Sequence, residues 1–386
     1  VPWALKKVGA RLSSRKYRPA ATIVICLFLA SAFSIAARAD AASAIDRIYG
    51  ATTLYENPSN PTIQKFAFSG RIQLDYYNVE ADQGNDSGWD VRRLRLGFKG
   101  DIYQSFDFRI EADLNDDPDD FYKRFTDFYL RWNSTDGVKL KVGKQSAGFT
   151  LDGHTSSNNL FTTERSILGY NVWFPLDYMP GISIAVEKTG WNTFLGLYSA
   201  GSENGEFGNF DGSWFGLGFV EYLFPETDAL DKGKAILDLV YQPPDDDNSS
   251  TRPNEFVVSL SVGLRKDRWR FEGNVSATRG YGTQGDLFGF LLMPMFDLTD
   301  KLQAVVRYST LHSNEPKGIR LGRYANRVVL GQGDRYNELY GGLNYFVDGH
   351  RLKLQLGLEW ADMEDQTNSG GAYSGLGVTL AFRTCW

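Results

Sequence analysis

The stretch GLGVTLAFRTCW at residues 375–386 decides the fold. Leu376, Val378, Leu380, Phe382 and Trp386 recur at every second position, apart from Thr384. Gly375, Gly377, Thr379, Ala381, Arg383 and Cys385 fall between them. Successive side chains of a β-strand point to opposite faces, so this is a strand with one apolar face. Upstream, Leu352, Leu354, Leu356, Leu358 and Trp360 alternate with Arg351, Lys353, Gln355, Gly357 and Glu359. Phe106, Phe108, Ile110, Ala112 and Leu114 alternate with Asp107, Arg109, Glu111 and Asp113. Charges that dense on the second face need water.

Alternation alone also fits a soluble sandwich, and the connections separate the two. Period-two segments are predicted near 66–78, 91–100, 104–114, 124–132, 137–144, 180–187, 190–198, 213–223, 234–241, 255–265, 268–278, 286–296, 301–310, 336–345, 350–361 and 372–386. Sixteen strands, most of eight to eleven residues, match what a tilted strand needs to cross a bilayer. Tight connections (101–103, 133–136, 188–189, 266–267, 297–300, 346–349) alternate with long ones (79–90, 145–179, 199–212, 242–254, 311–335). That rhythm is the mark of a membrane barrel with short periplasmic turns and long outer loops. The segment 224–233 is longer than an inner turn requires. The expected fold is all-β: a 16-stranded antiparallel transmembrane β-barrel.

Composition agrees. The chain holds 26 Phe, 20 Tyr, 9 Trp and 40 Gly, yet its mean hydropathy is only -0.33. Aromatics suit strands and membrane interfaces, whereas helical spans would need long apolar runs. The one near-apolar stretch, 20–37, follows Lys6, Lys7, Arg11, Arg15, Lys16 and Arg18 and ends at Ala37-Arg38-Ala39. It reads as a signal peptide over 1–39, cleaved before Asp40. Residues 40–65, with Pro58 and Pro61, fit neither strand nor long helix and form an N-terminal periplasmic or lumenal segment ahead of a barrel over 66–386.

Removing 1–39 removes seven basic side chains and no acidic ones, leaving 34 Lys and Arg against 47 Asp and Glu, a net charge of -13. Nucleic acid is therefore excluded as a partner. Of the two cysteines, Cys26 leaves with the signal, so Cys385 has no internal partner. His154, His312 and His350 have no metal-ligand spacing. No cofactor is implied. The acidic run at 115–120 and Asp245, Asp246 and Asp247 read as solvated loop charge, since their spacing is no cation-loop motif.

A basic stripe emerges from phase alone. In 91–100, Leu94, Leu96 and Phe98 face one way, so Arg93, Arg95 and Lys99 face the other. In 137–144, Val138, Leu140 and Val142 point to lipid, leaving Lys139 and Lys141 inside. These cations either attract anions into the lumen or pair across strands with Asp107, Glu111 and Asp113.

Particular strings then matter. RRLRLGFKG at 92–100, FDFRIEADL at 106–114, VKLKVGKQ at 138–145, TSSNNLFTTERSILG at 155–169 and GGLNYFVDGHRLKLQLGLEW at 341–360 together resemble the phosphate-selective porin O and P family. The resemblance implies a trimeric barrel in the bacterial outer membrane, among its lipids and lipopolysaccharide, with loops folded into the pore and basic lumen residues. It carries the family's paired arginines onto Arg92 and Arg93, the strand glycine onto Gly143, and the loop motif onto Thr155, Ser156, Ser157, Phe161, Glu164 and Arg165. After Gly143 the chain departs from the family, reading Lys144, Gln145, Ser146.

The expectation is a porin for passive diffusion of small hydrophilic solutes, with anions such as phosphate among them. The alternative is a closed structural or adhesive barrel. An enzyme is a third class, with His154 beside Ser156 and Ser157 as its nearest candidate nucleophile and base. The connection 145–179 is too long for a bare crossing, and such loops carry function or are disordered. Folding inward as a constriction would bury Phe149, Leu151, Leu160, Phe161, Ile167 and Leu168. It would also bring Arg165 and Lys144 near Arg93, Arg95, Lys139 and Lys141.

Overall fold

The alternation runs through sixteen antiparallel strands in a computed structural model that describes residues 40–174, 178–200, 206–207, 213–245, 248 and 251–386. The strands are β1 (Ile63–Ala81), β2 (Gly84–Ile102), β3 (Phe106–Leu114), β4 (Tyr122–Asn133), β5 (Val138–Ser146), β6 (Tyr178–Lys188), β7 (Trp191–Ser199) and β8 (Trp214–Phe224). They continue with β9 (Lys232–Tyr241), β10 (Asn254–Lys266), β11 (Trp269–Gly280), β12 (Leu287–Asp297), β13 (Leu302–Ser313), β14 (Arg335–Asp348), β15 (Leu352–Glu364) and β16 (Tyr373–Cys385). Each pairs with its sequence neighbour. β16 closes on β1 from Cys385↔Arg71 to Gly375↔Ala81. Closure pairs every strand on both sides, so a polar backbone can sit in hydrocarbon. The predicted signal peptide lies outside the described residues.

Period two sorts the side chains. Leu96, Val142, Leu195, Leu239, Phe288, Leu339 and Trp360 are exposed on the outer face, the apolar belt that lipid covers. Arg71, Asp75, Arg95, Glu111, Arg307, Glu338, Lys353 and Arg383 are buried. Positive φ at Gly190, Asp267 and Gly349 lets three of the inner turns close tightly. The longer segment at 224–233 is a miniature hairpin, closed by a Thr227–Leu230 bridge.

Two readings of the sequence are corrected. Residues 79–90 are not a long loop: β1 and β2 run 19 residues each and pair up to Ala81↔Gly84. At roughly 3.3 Å per residue they stand far above what a crossing needs. The alternation was lost to the eye because this part of the hairpin rises beyond lipid, where neither face must be apolar. Residues 40–65 contain a helix (Asp40–Gly50) and a short strand (Thr53–Glu56). That strand pairs with β1 at Thr53↔Ala67, just past the Gly70–Trp386 backbone pair that ends the β16 seam.

Candidate solute pathway through the barrel

The basic stripe begins on β2. A bulge lies where Gln73 pairs with Arg93 but Leu74 pairs with Val91, so Arg92 is the extra residue. Two residues of a bulged strand oppose one on the partner, and consecutive side chains can then share a face. Arg93 Nη1 donates to Gln73 Oε1 at 2.8 Å. Arg92 Nη2 donates to Glu164 Oε2 at 3.0 Å, and its Nε reaches the other oxygen of the same carboxylate.

Further along the wall, Glu111 is fully buried and gathers three guanidinium groups. Arg71 lies 3.4 Å away, Arg95 3.7 Å away, and Arg109 donates to Oε2. Arg95 also pairs with Asp113 and donates to the Tyr178 hydroxyl at 2.8 Å. Lys139 pairs with Glu187, and Lys141 sits 4.7 Å over the Tyr129 ring. Among the described residues, Arg93, Lys99 and Lys141 form no salt bridge.

Lys144 is a correction. It shares the outer face with Leu140 and Val142 and lies opposite Phe128, all three exposed. Its Nζ donates to Glu206 at 2.8 Å, so it is capped from outside and does not line the lumen. Its number shows why: 144 is out of phase with 139 and 141.

The connection between β5 and β6 is anchored to opposite walls. On one side Arg71 Nη1 donates to Ser157 Oγ at 2.6 Å, Arg383 Nη2 to Thr163 O at 3.0 Å and Arg307 Nη1 to Glu164 O at 3.0 Å. On the other, Asp238 of β9 accepts from Thr150 N at 3.1 Å and bonds His154 Nε2 at 2.6 Å. Phe149, Leu151, Leu160, Ile167 and Leu168 are all buried. Arg165 stacks 4.6 Å from the Trp173 ring and donates to Thr155 O. His154 bonds Asp238, Ser157 accepts from Arg71 and Ser156 from Asn158 N, and among the described residues neither serine is hydrogen-bonded to His154. Among the described residues no group of three His, Cys, Asp or Glu could hold a metal.

This segment faces two cavities. One of ≈ 490 Å³ is lined by eight basic and three acidic side chains, among them Arg92, Arg93, Arg95 and Arg165; Lys99, Lys139 and Lys141 are not in it. The other, ≈ 310 Å³, lies beside His154, Lys234 and Glu272. A space of only ≈ 30 Å³ lies between Glu164, Tyr340 and Tyr324. In the larger cavity burial, with Arg320 nearby, pushes the Arg252 guanidinium down to about 10.

One stretch of this sixteen-stranded barrel matches a known family model. Residues 66–211 match the model of the phosphate-selective porin O and P family. The porin match and the lipid-facing belt place the protein in the bacterial outer membrane. An anion-selective porin from Comamonas acidovorans has a similar fold, with a TM-score of 0.58 at 14% identity, covering 83% of this chain and 99% of that one. OmpT of Vibrio cholerae gives 0.55 at 12%, covering 85% and 99%. The outer membrane channel DcaP of Acinetobacter baumannii gives 0.54 at 14%, covering 83% and 97%. These likenesses establish the barrel. An uncharacterized protein of Caulobacter vibrioides is 26% identical over 165 residues, which cover 40% of this chain and 32% of that relative.

Sequence reasoning missed the second basic group. Arg252, Arg320, Arg323 and Arg327 lie in long connections without period, and only the apolar Ile319, Leu321 and Val329 among polar neighbours signalled that the 314–334 connection packs inward.

Proposed function

We propose that this barrel is a diffusion porin in which residues 147–174 fold inward as a constriction loop, and that small anions are favoured where the loop meets the β2 wall. The observation that carries this reading is the excess of eight basic over three acidic side chains around the ≈ 490 Å³ cavity. A low-dielectric wall of one charge sign raises the local concentration of counter-ions. Distant loop carboxylates are screened over about 8–10 Å and do not cancel it. Inorganic phosphate is one such anion. The anion-selective porin of similar fold supports the charge preference. Assembly as a homotrimer among outer-membrane lipids and lipopolysaccharide is part of the same proposal, resting on the resemblance.

The ≈ 30 Å³ space beside Glu164 favours one second reading, a lumen closed at the waist and a structural or adhesive barrel. Conductance of the purified protein in a planar bilayer separates the two, with reversal potential in a KCl gradient reporting charge preference. Chloride should be favoured. Arg93→Glu should reduce or invert that preference, and Lys139→Glu, whose lysine pairs with Glu187 away from the cavity, should leave it nearly unchanged. Absence of steady current would establish the closed reading. Unaltered selectivity in Arg93→Glu would leave only a general diffusion pore.

A further inference from the structure

The connection between β13 and β14 supplies a second segment to the interior. Ile319, Leu321, Tyr324 and Val329 are buried in the same apolar cluster as Ile167, Leu168 and Val172 of the first. A reciprocal pair joins the two segments directly: Asn171 Nδ2 donates to Arg320 O at 2.9 Å, and Arg320 N donates to Asn171 Oδ1 at 2.8 Å.

On the β1–β2 side the segment is held chiefly by one carboxylate, Asp90, with Asp75 accepting from Tyr324 as well. Asp90 accepts from Arg323 Nε at 2.8 Å and Nη2 at 3.1 Å, from Arg327 Nη2 at 3.2 Å and from the Tyr324 hydroxyl at 3.1 Å. The Tyr324 ring stacks on Tyr77 with centroids 4.3 Å apart, and its hydroxyl also donates to Asp75 at 2.6 Å. A two-pronged guanidinium–carboxylate pair fixes orientation as well as distance. Arg323 thereby lines the same cavity as Arg92, Arg93 and Arg165.

We infer that residues 319–328 form a second jaw of the waist, that Asp90 is the residue that positions it, and that Arg323 is a selectivity-determining residue carried on it. Without the Asp90 charge, Arg323 and Arg327 would lose the one carboxylate that forms a salt bridge with them among the described residues, and the segment's hold on the wall would weaken. The jaw itself requires only the barrel. The role of Arg323 rests on the anion-favouring reading given above.

The test uses the full-length protein in planar bilayers, with neutral polyethylene glycols of increasing size to measure the limiting width. Asp90→Asn should raise single-channel conductance, roughly twofold if half the obstruction at the waist is removed, and admit larger polymers. Asp90→Glu should restore the original values. Arg323→Gln should lower the chloride-to-potassium permeability ratio roughly sevenfold, one charge at ~7 Å in a water-like medium acting about threefold on each ion in opposite directions, while Arg323→Lys, which keeps the charge, should leave the ratio near wild type. If Asp90→Asn fails to fold, the pair Tyr324→Phe with Arg327→Gln should widen the pore in the same direction. Unchanged conductance and polymer cut-off in a folded Asp90→Asn barrel overturn the jaw. A wild-type channel with no chloride preference removes the role of Arg323, while the width measurements still decide the jaw.

Discussion

Arg92 Nη2 meets Glu164 Oε2 at 3.0 Å, joining the bulge of β2 to the middle of the inner segment. Among the described residues the neighbouring Arg93 is bonded only to the neutral Gln73 amide. One arginine of the pair is therefore compensated and the other is not. Glu164→Gln should raise the chloride-to-potassium permeability ratio and Arg93→Gln should lower it. Each change in the ratio should be about sevenfold, since one charge at ~7 Å in a water-like medium acts about threefold on each ion in opposite directions. Reversal potentials of the two variants check the opposed signs. If both move selectivity the same way, the bases of this wall are already neutralised as a set.

The same pair sets an acid limit. Burial alone would raise the Glu164 carboxyl, but the Arg92 guanidinium beside it, with Arg93 and the Tyr170 hydroxyl, holds it well below the usual carboxylate range. A folded-state value below the unfolded one means that stability is present above the unfolded value, about 4.3, and is lost as pH falls through the folded value. Protease resistance of residues 147–174 should thus hold steady from neutral pH down to about pH 5 and decline only in more acidic solution. A loss of resistance near neutrality would show that another group anchors the segment.

Arg307 and Glu338 are both 2% exposed, and Arg307 Nε donates to Glu338 Oε1 at 2.7 Å. Arg307 also bonds Thr162 Oγ1 and Glu164 O, so it ties the wall to the segment. Arg307→Met should destabilise the barrel by about 3–5 kcal/mol, because it leaves a buried carboxylate alone. Adding Glu338→Met should recover much of that loss. Denaturant midpoints measure both, and cleavage within 150–171 should rise in each variant, since neither restores the segment's anchors.

At the closing seam the Trp386 indole covers Gly70. A β-carbon added at Gly70 would overlap that ring and come 2.8 Å from Arg95 O. Gly70→Val should cost about 1–3 kcal/mol, the usual range for overpacking. Trp386→Ala in the same chain should relieve part of it. Trp386→Asp should lower membrane yield, because a charge on a lipid face is unfavourable in proportion to depth. Heat-modifiable gel mobility reports closure in all three.

Most of the wall was legible in the sequence, because lipid on one side and water or charge on the other impose period two. Leu352 to Trp360 and Leu376 to Phe382 announced their strands directly. Legibility failed where that constraint lapses. The top of the first hairpin, within residues 79–90, stands clear of lipid and read as loop. Arg92 reached the lumen through a single-residue bulge, which inverts phase without any change in composition. Lys144 was placed inside by its neighbourhood in a string, although counting from Lys141 puts it outside. The segment after β5 was signalled by six apolar residues, of which Phe149, Leu151, Leu160, Ile167 and Leu168 are buried. The one after β13 held fewer, spaced among arginines.

The first inner segment leans on β1 and β2 at one end of the chain and on β13, β15 and β16 at the other, while the second arrives only with residues 319–328. A chain that is made and threaded from its N-terminus therefore cannot complete these contacts early. Arg71 and Arg92 wait for partners whose other anchors, on β13, β15 and β16, are the last to be delivered. On the constricted reading proposed above, the bore of the pore doubles as a record of its own assembly, and a leaky channel is the signature to expect from any lesion that delays the final hairpin.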